Sequence, residues 1–131
     1  MSNDVFSYVT VGTSDLTRAA AFYDAALGAL GLERLHTDAR EIGYGRPGGP
    51  CRFWANLPFD GQTMSVGNGS MPCFQALSRA EVTAFHAAGL AAGGTDEGAP
   101  GLRPYGPHFF AAYLRDPDGN KLSAVCEFSE G

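Results

Sequence analysis

The sequence predicts an α+β domain made of two tandem βαβββ modules. Three observations carry that prediction: an ungapped internal repeat, a helix start in each copy, and short strand-like runs placed alike around both helices. Ala21-Phe22-Tyr23-Asp24-Ala25-Ala26-Leu27 aligns with Ala84-Phe85-His86-Ala87-Ala88-Gly89-Leu90 at an offset of 63 residues (84 minus 21), and self-similarity at a fixed offset marks a duplicated unit. The same offset sets Asp15 opposite Ser78. Both are good helix caps, because a short side chain offers an oxygen to an orphan amide of the first turn.

In the first copy, residues 6–11 read as a strand. Leu16, Ala20, Tyr23, Leu27 and Leu30 then recur at helical spacing, and Gly31 follows, where a left-handed residue closes a helix cheaply. Three further strands are expected at 33–37, 41–45 and 52–57, with Arg46-Pro47-Gly48-Gly49-Pro50 as the loop before the last. Residues 59–69, with Asp60-Gly61 and Gly67-Asn68-Gly69, read as the connection. Module 1 therefore spans about 1–62 and module 2 about 68–131 of a single domain, 1–131.

The second copy opens with a strand at 71–76. Ser78-Arg79-Ala80-Glu81 is a capping box, in which Ser78 bonds forward and Glu81 reaches back to the cap amide. Val82, Phe85, His86 and Leu90 give the helix its apolar stripe, and Gly94 stands where Gly31 does. A strand within the Gly- and Pro-rich stretch 95–107 precedes strands at 109–115 and 121–128. The last two are joined by Asp116-Pro117-Asp118-Gly119-Asn120, a turn sequence by composition.

Composition narrows the function. A chain of 131 residues with 44% hydrophobic content builds one core. Nine Lys and Arg against 14 Asp and Glu give a net charge of -5, without the basic stripe that phosphate backbones require, so nucleic acid is an unfavourable partner. No apolar run approaches the roughly 20 residues that span a bilayer. Met1-Ser2-Asn3-Asp4-Val5-Phe6 lacks a basic stretch followed by an apolar one. A cytoplasmic protein off the membrane is expected. Cys51, Cys73 and Cys126 are odd in number and widely spaced, which suits reduced thiols rather than disulfides or a thiolate zinc site.

Three segments carry a family likeness. They are Val9-Thr10-Val11-Gly12 leading into Ser14-Asp15-Leu16; Ala21-Phe22-Tyr23 with Leu27-Gly28; and Arg115-Asp116-Pro117-Asp118-Gly119-Asn120-Lys121-Leu122. With the repeat they cover almost the whole chain, and on them the sequence resembles the vicinal oxygen chelate superfamily: glyoxalase I, fosfomycin-resistance enzymes, extradiol dioxygenases and bleomycin-resistance proteins. The resemblance implies paired βαβββ modules forming a curved mixed sheet, with helices on the convex face and ligand on the concave face. Strand alternation then turns Val9, Val11, Leu122, Ala124 and Cys126 toward the helices. Tyr8, Thr10, Lys121, Ser123 and Val125 turn into the cup.

The resemblance places metal ligands at Tyr8, Trp54, Met71 and Ser123. None is a standard ligand for a hard divalent cation, so no metal and no cofactor are expected. A cavity lined by Tyr8, Trp54, Met71 and Tyr113, with polar handles from Thr10, Gln75, Ser123, His108 and Arg103, suits an apolar or aromatic small molecule. His108, in a loop at the mouth, is the candidate acid or base. His36 reads as a surface edge residue, His86 as a helix-edge ring with one nitrogen bonded, Cys73 as a small buried residue of the cup, and Cys126 as core. The function these readings favour is metal-free ligand binding in the manner of bleomycin-resistance proteins. The alternative is a glyoxalase-like lyase or isomerase, metal-independent or with displaced ligands. A homodimer is expected, with modules pairing within one chain or by exchange between chains.

Overall fold

The structure is a computed structural model that describes residues 5–130; Met1 to Asp4, the start of the N-terminal segment read above, and Gly131 lie outside the described residues. In chain order the elements are β1 (Val9–Gly12), α1 (Leu16–Gly28), β2 (Glu33–Thr37), β3 (Glu41–Gly45) and β4 (Phe53–Asn56). Then come β5 (Cys73–Gln75), α2 (Arg79–Ala91), β6 (Thr95–Leu102), β7 (Phe110–Arg115) and β8 (Lys121–Cys126). They form two four-stranded sheets of identical design, ordered β1-β4-β3-β2 and β5-β8-β7-β6. The module's first strand runs parallel to its last and every other pairing is antiparallel. This is the α+β duplication expected from the repeat.

Both helices start at the predicted caps. The Asp15 carboxylate accepts from the Arg18 amide at 3.0 Å, and Ser78 Oγ from the Glu81 amide at 3.1 Å. Glu81 reaches back one residue further than expected, to the Leu77 amide at 2.8 Å. At the C-termini, Gly31 is left-handed as predicted (φ 79°), but in the second copy that conformation belongs to Gly93 (φ 106°) and not to Gly94. The Gly94 amide instead bonds Gly89 O at 2.9 Å, as the Leu32 amide bonds Leu27 O at 3.0 Å. The cap has slipped by one residue relative to the repeat. Gly94 is required for another reason: an added Cβ would lie 2.8 Å from Gly89 O and 2.9 Å from Arg115 O.

Strand ends differ from expectation mainly at the outer strands. The ladder of β1 begins at Val9, leaving Phe6 and Tyr8 ahead of it, and β5 is confined to three residues. The Gly- and Pro-rich 95–107 stretch does hold a strand, β6, whose register against β7 shifts twice, between Asp96 and Gly98 and between Gly98 and Gly101. Bulges of this kind are tolerated where a strand has a neighbour on one side only.

The core lies where the two helices pack on the sheets. Phe22, Tyr23 and Leu27 of α1 and Val82 and Phe85 of α2 pack with Ile42, Tyr44, Phe53 and Ala55 from one sheet, and with Leu114, Leu122, Ala124 and Cys126 from the other. The two helices also lie against each other. The face assignments made by alternation hold in β8, where Leu122, Ala124 and Cys126 are core, and for Val11, which packs on it; Val9, also expected in the core, instead lines a cavity with Phe53, Cys73 and Phe74. His86 occupies the helix position of Tyr23, and its Nε2 pairs with Asp96 at 2.8 Å.

The 116–120 turn fastens one module to the other. Asp116 accepts the Tyr23 hydroxyl at 2.5 Å and the Asn120 side-chain amide at 2.9 Å, while Asn120 Nδ2 also donates to Gly12 O at 2.8 Å. Burial and the neighbouring Asp116 push the Tyr23 hydroxyl well above its ordinary pKa, so it stays a donor. Asp118 accepts from the Thr13 hydroxyl (2.5 Å), the Ser14 amide (3.0 Å) and hydroxyl (2.8 Å), and Arg18 Nη2 (2.7 Å). A carboxylate here also complements the positive end of α1. Among the described residues, no helix is long and apolar enough to cross a membrane.

Candidate functional site

Each sheet has one face against the helices and one open face. On the open face of the first sheet lies a cavity of about 570 Å³ lined by Tyr8, Thr10, Leu35, His36, Glu41, Gly49, Cys51, Trp54 and Asn56. Thr10 stands beside Trp54 in the β1–β4 register, and Gly43 beside Trp54 in β3–β4. Gly43 is what lets the indole lie flat across the strand, since a Cβ there would come within 2.7 Å of both Trp54 Cζ3 and Cys51 Sγ. We expect Gly43→Ala to displace the indole, shift the Trp54 emission and cost about 1 kcal/mol of stability; an unchanged emission spectrum would reject this role.

His36 was expected at the surface edge; it is exposed, yet it lines this cavity. A register shift between Arg34 and His36 sets His36, rather than Leu35, opposite Gly43. One inserted residue exchanges the faces of all that follow. The His36 ring consequently meets Trp54 edge-on, with centroids 5.4 Å apart. Its Nε2 lies 2.7 Å from Asp38 Oδ2, and Asp38 Oδ1 accepts the amides of Arg40 and Glu41 at 2.8 and 3.0 Å. The His36 bond first, then these amides, holds the Asp38 carboxyl below its usual pKa. Coordinating atoms of His36, Asp38 and Glu41 all lie within 4.8 Å of one another. His36, Asp38, Glu41, Asn56 and Cys51 are site residues that the sequence reading did not select.

The other predicted residues lie elsewhere. Tyr113 stands opposite Ser123 on the open face of the second sheet. Ser123 is 1% exposed, its Oγ 3.5 Å from Cys73 Sγ. Cys73 is exposed rather than buried, because β5 is the sheet's edge strand. Desolvation of its sulfur raises the thiol pKa despite the Ser123 bond, so it is not an activated nucleophile. Cys73 and Gln75 line a second cavity, of about 460 Å³, in the seam between the sheets, with Val9, Tyr44, Phe53 and Phe74. Met71 precedes β5, is 40% exposed and lines neither cavity. His108 sits half-buried in the turn before β7, also away from both.

The eight predicted ligand residues therefore do not form one lining within the chain. Tyr8, Thr10 and Trp54 are together; Tyr113 and Ser123 are together. The sets remain apart because β1 and β5 end separate sheets and share no ladder, the modules being joined through helices and core. The metal implied by the resemblance also does not fit its four positions. Tyr8 is 59% exposed, Met71 offers a soft thioether, and Ser123 is buried against Cys73.

With the geometry established, comparison with known proteins gives a consistent result. Residues 5–123 match the family described as Glyoxalase/Bleomycin resistance protein/Dioxygenase superfamily. No curated protein is a match. Among solved structures, a glyoxalase/bleomycin resistance protein from Albidiferax ferrireducens T118 is 42% identical with a TM-score of 0.84, over 94% of this chain and 98% of that one. A glyoxalase-related enzyme from Fulvimarina pelagi is 20% identical, TM-score 0.72, over 95% and 88%. A lactoylglutathione lyase from Agrobacterium tumefaciens is 20% identical, TM-score 0.66, over 95% and 94%. The last two agree in fold. On the family match and the similarity to the Albidiferax protein, this chain belongs to the Glyoxalase/Bleomycin resistance protein/Dioxygenase superfamily.

Proposed function

We propose that this chain binds a small apolar or aromatic molecule, without a catalytic metal, on the open face of its first sheet. The observation that carries the reading is the Trp54 indole, seated on Gly43 and edged by His36, walling a cavity that also holds the hydroxyl of Thr10 and the amide of Asn56. A flat aromatic wall with a few polar groups is how proteins hold small ligands. Trp54 is the single tryptophan, so its emission reports the cavity. Titration with a panel of aromatic compounds and antibiotics should quench or shift it saturably, and uniformly flat titrations reject the proposal.

The active form is a homodimer in which a second copy brings its second sheet toward the first sheet of its partner, completing a cup that one chain leaves open. Light scattering is expected to give twice the chain mass of 13.8 kDa; a monomer at micromolar concentration rejects this part.

A glyoxalase-like lyase or isomerase is the second reading, favoured by the convergence of His36, Asp38 and Glu41 at the rim of the same cavity. Asp38 would orient the His36 imidazole as an acid or base beside bound substrate, or the three would hold a displaced divalent ion. Calorimetric titration with zinc, nickel or manganese separates these versions. Binding lost in both His36→Ala and Glu41→Gln supports the ion. Turnover lost in His36→Ala with no ion bound supports proton transfer, and turnover unaffected by His36→Ala removes the histidine from both.

A further inference from the structure

On the open face of the second sheet two cations converge on one aromatic ring. Arg103 Cζ lies 5.2 Å from the Tyr113 centroid and Lys121 Nζ 5.8 Å. Both side chains are half-buried. Neither has a carboxylate within ion-pair distance among the described residues, whereas Arg18, Arg34 and Arg115 each have one. The nearby Glu97 is committed to Arg115, at 2.8 Å. In a chain carrying a net charge of -5, two cations on one ring with no carboxylate at ion-pair distance stand ready for an external anion.

The guanidinium is also held in place. Arg103 Nη2 donates to Ala99 O at 2.7 Å and Nη1 to Leu102 O at 3.4 Å, which fixes the guanidinium while leaving it other donors. Its floor is made of glycines. A Cβ at Gly101 would lie 3.1 Å from Nη1; one at Gly98 would lie 3.3 Å from Nη2 and 2.8 Å from Tyr113 Cδ1. Both bulges of β6 fall at these glycines. The strand is thus shaped so that an arginine and a tyrosine ring can lie on it, with Lys121 closing the group from β8.

From this arrangement we infer that Arg103 and Lys121 on the second sheet of one copy form an oxyanion subsite facing the first-sheet cavity of the other copy in the proposed dimer, and that the ligand is an apolar or aromatic body carrying a carboxylate or a phosphate monoester, with Tyr113 packing beside the charged end. The inference rests on the ligand-binding reading above and narrows it to acids. Charge-assisted bonds from a planar guanidinium and an ammonium recognise either group.

The experiment uses three probes of one shape: 2-naphthoate, 2-naphthyl phosphate and the neutral 2-naphthalenemethanol. Affinities come from calorimetry, and locations from amide and indole shifts in NMR. At least one of the two acids should bind roughly ten-fold tighter than the alcohol, and Arg103→Gln and Lys121→Gln should each remove about ten-fold of that acid-over-alcohol preference, measured on variants shown to be folded by circular dichroism. Added salt should weaken the acids alone, and the better acid identifies the group. Equal affinity of acids and alcohol, no acid binding, or unaltered acid affinity in both variants overturns the inference. If the alcohol still shifts the Trp54 indole in that case, the aromatic cavity survives. If instead the acids shift Tyr113 and Lys121 while no probe moves Trp54, the subsite stands and the first-sheet cavity falls.

Discussion

Replacing Asp118 by alanine is expected to lower the unfolding free energy by about 3 kcal/mol and the melting temperature by on the order of 10 °C. Its side chain is 2% exposed, and it is the single acceptor joining Thr13, Ser14 and Arg18 at the start of α1 to the second module. Truncation takes the short bond from the Thr13 hydroxyl, in a residue 1% exposed, leaving it the longer 3.2 Å contact to Asp15 O, and removes the acceptor of the Ser14 amide. Arg18 contributes less: its side chain is 45% exposed, so Arg18→Gln should cost under about 1 kcal/mol. Burial pushes the Asp118 carboxyl pKa up, but the Thr13 and Ser14 donors and the Arg18 charge outweigh it, and the net shift is downward. The folded carboxyl therefore titrates below the unfolded one at about 3.9, so the unfolded chain binds more protons in that window. The contribution is fully present above the unfolded pKa and lost as pH falls through the folded one. Urea unfolding across pH should show wild type and Asp118→Asn converging in acid below about pH 4, and a gap independent of pH would sink this account.

Most of the frame was legible because it rests on local chemistry. Asp15 and Ser78 mark helix starts by side-chain geometry that needs no distant partner. The alternation in β8 sorts Leu122, Ala124 and Cys126 from Ser123 and Val125 because a strand has only two faces. What escaped depends on departures from regularity or on pairs far apart in sequence. The register shift before His36 reverses the face of a histidine that plain alternation sends to the helix side. Gly93 replaces Gly94 as the left-handed residue because the bond that closes the second cap, Gly94 amide to Gly89 O, falls one residue earlier than its counterpart, Leu32 amide to Leu27 O, although the helices themselves end at the repeat offset. The Asp118 to Ser14 bond spans 104 positions, and in isolation the 116–120 segment reads only as a turn. The grouping of the site residues was not legible either. Alternation states which face a residue takes, but not whether two such faces meet, and the separation of β1 from β5 is decided by how the helices and core join the modules.

Trp54→Ala is expected to weaken binding of the best quencher from the aromatic panel by on the order of 2 kcal/mol, about 30-fold, while leaving the fold intact. The two effects separate because of where the residue points. Its neighbours in β4, Phe53 and Ala55, enter the core, whereas Trp54 lies half-buried on the opposite face over Gly43 and beside His36. Removing the indole opens no cavity between sheet and helices, so the stability cost should stay under about 1 kcal/mol, compared with the 3 kcal/mol or more typical of truncating a core aromatic. It does remove the flat wall of the site and the edge-on partner of His36. Trp54→Phe restores an aromatic face of smaller area and should recover most of the loss. Since Trp54→Ala also abolishes the intrinsic reporter, affinity must come from calorimetry. Binding unchanged in Trp54→Ala, with the variant folded by circular dichroism, would place the ligand away from the first sheet.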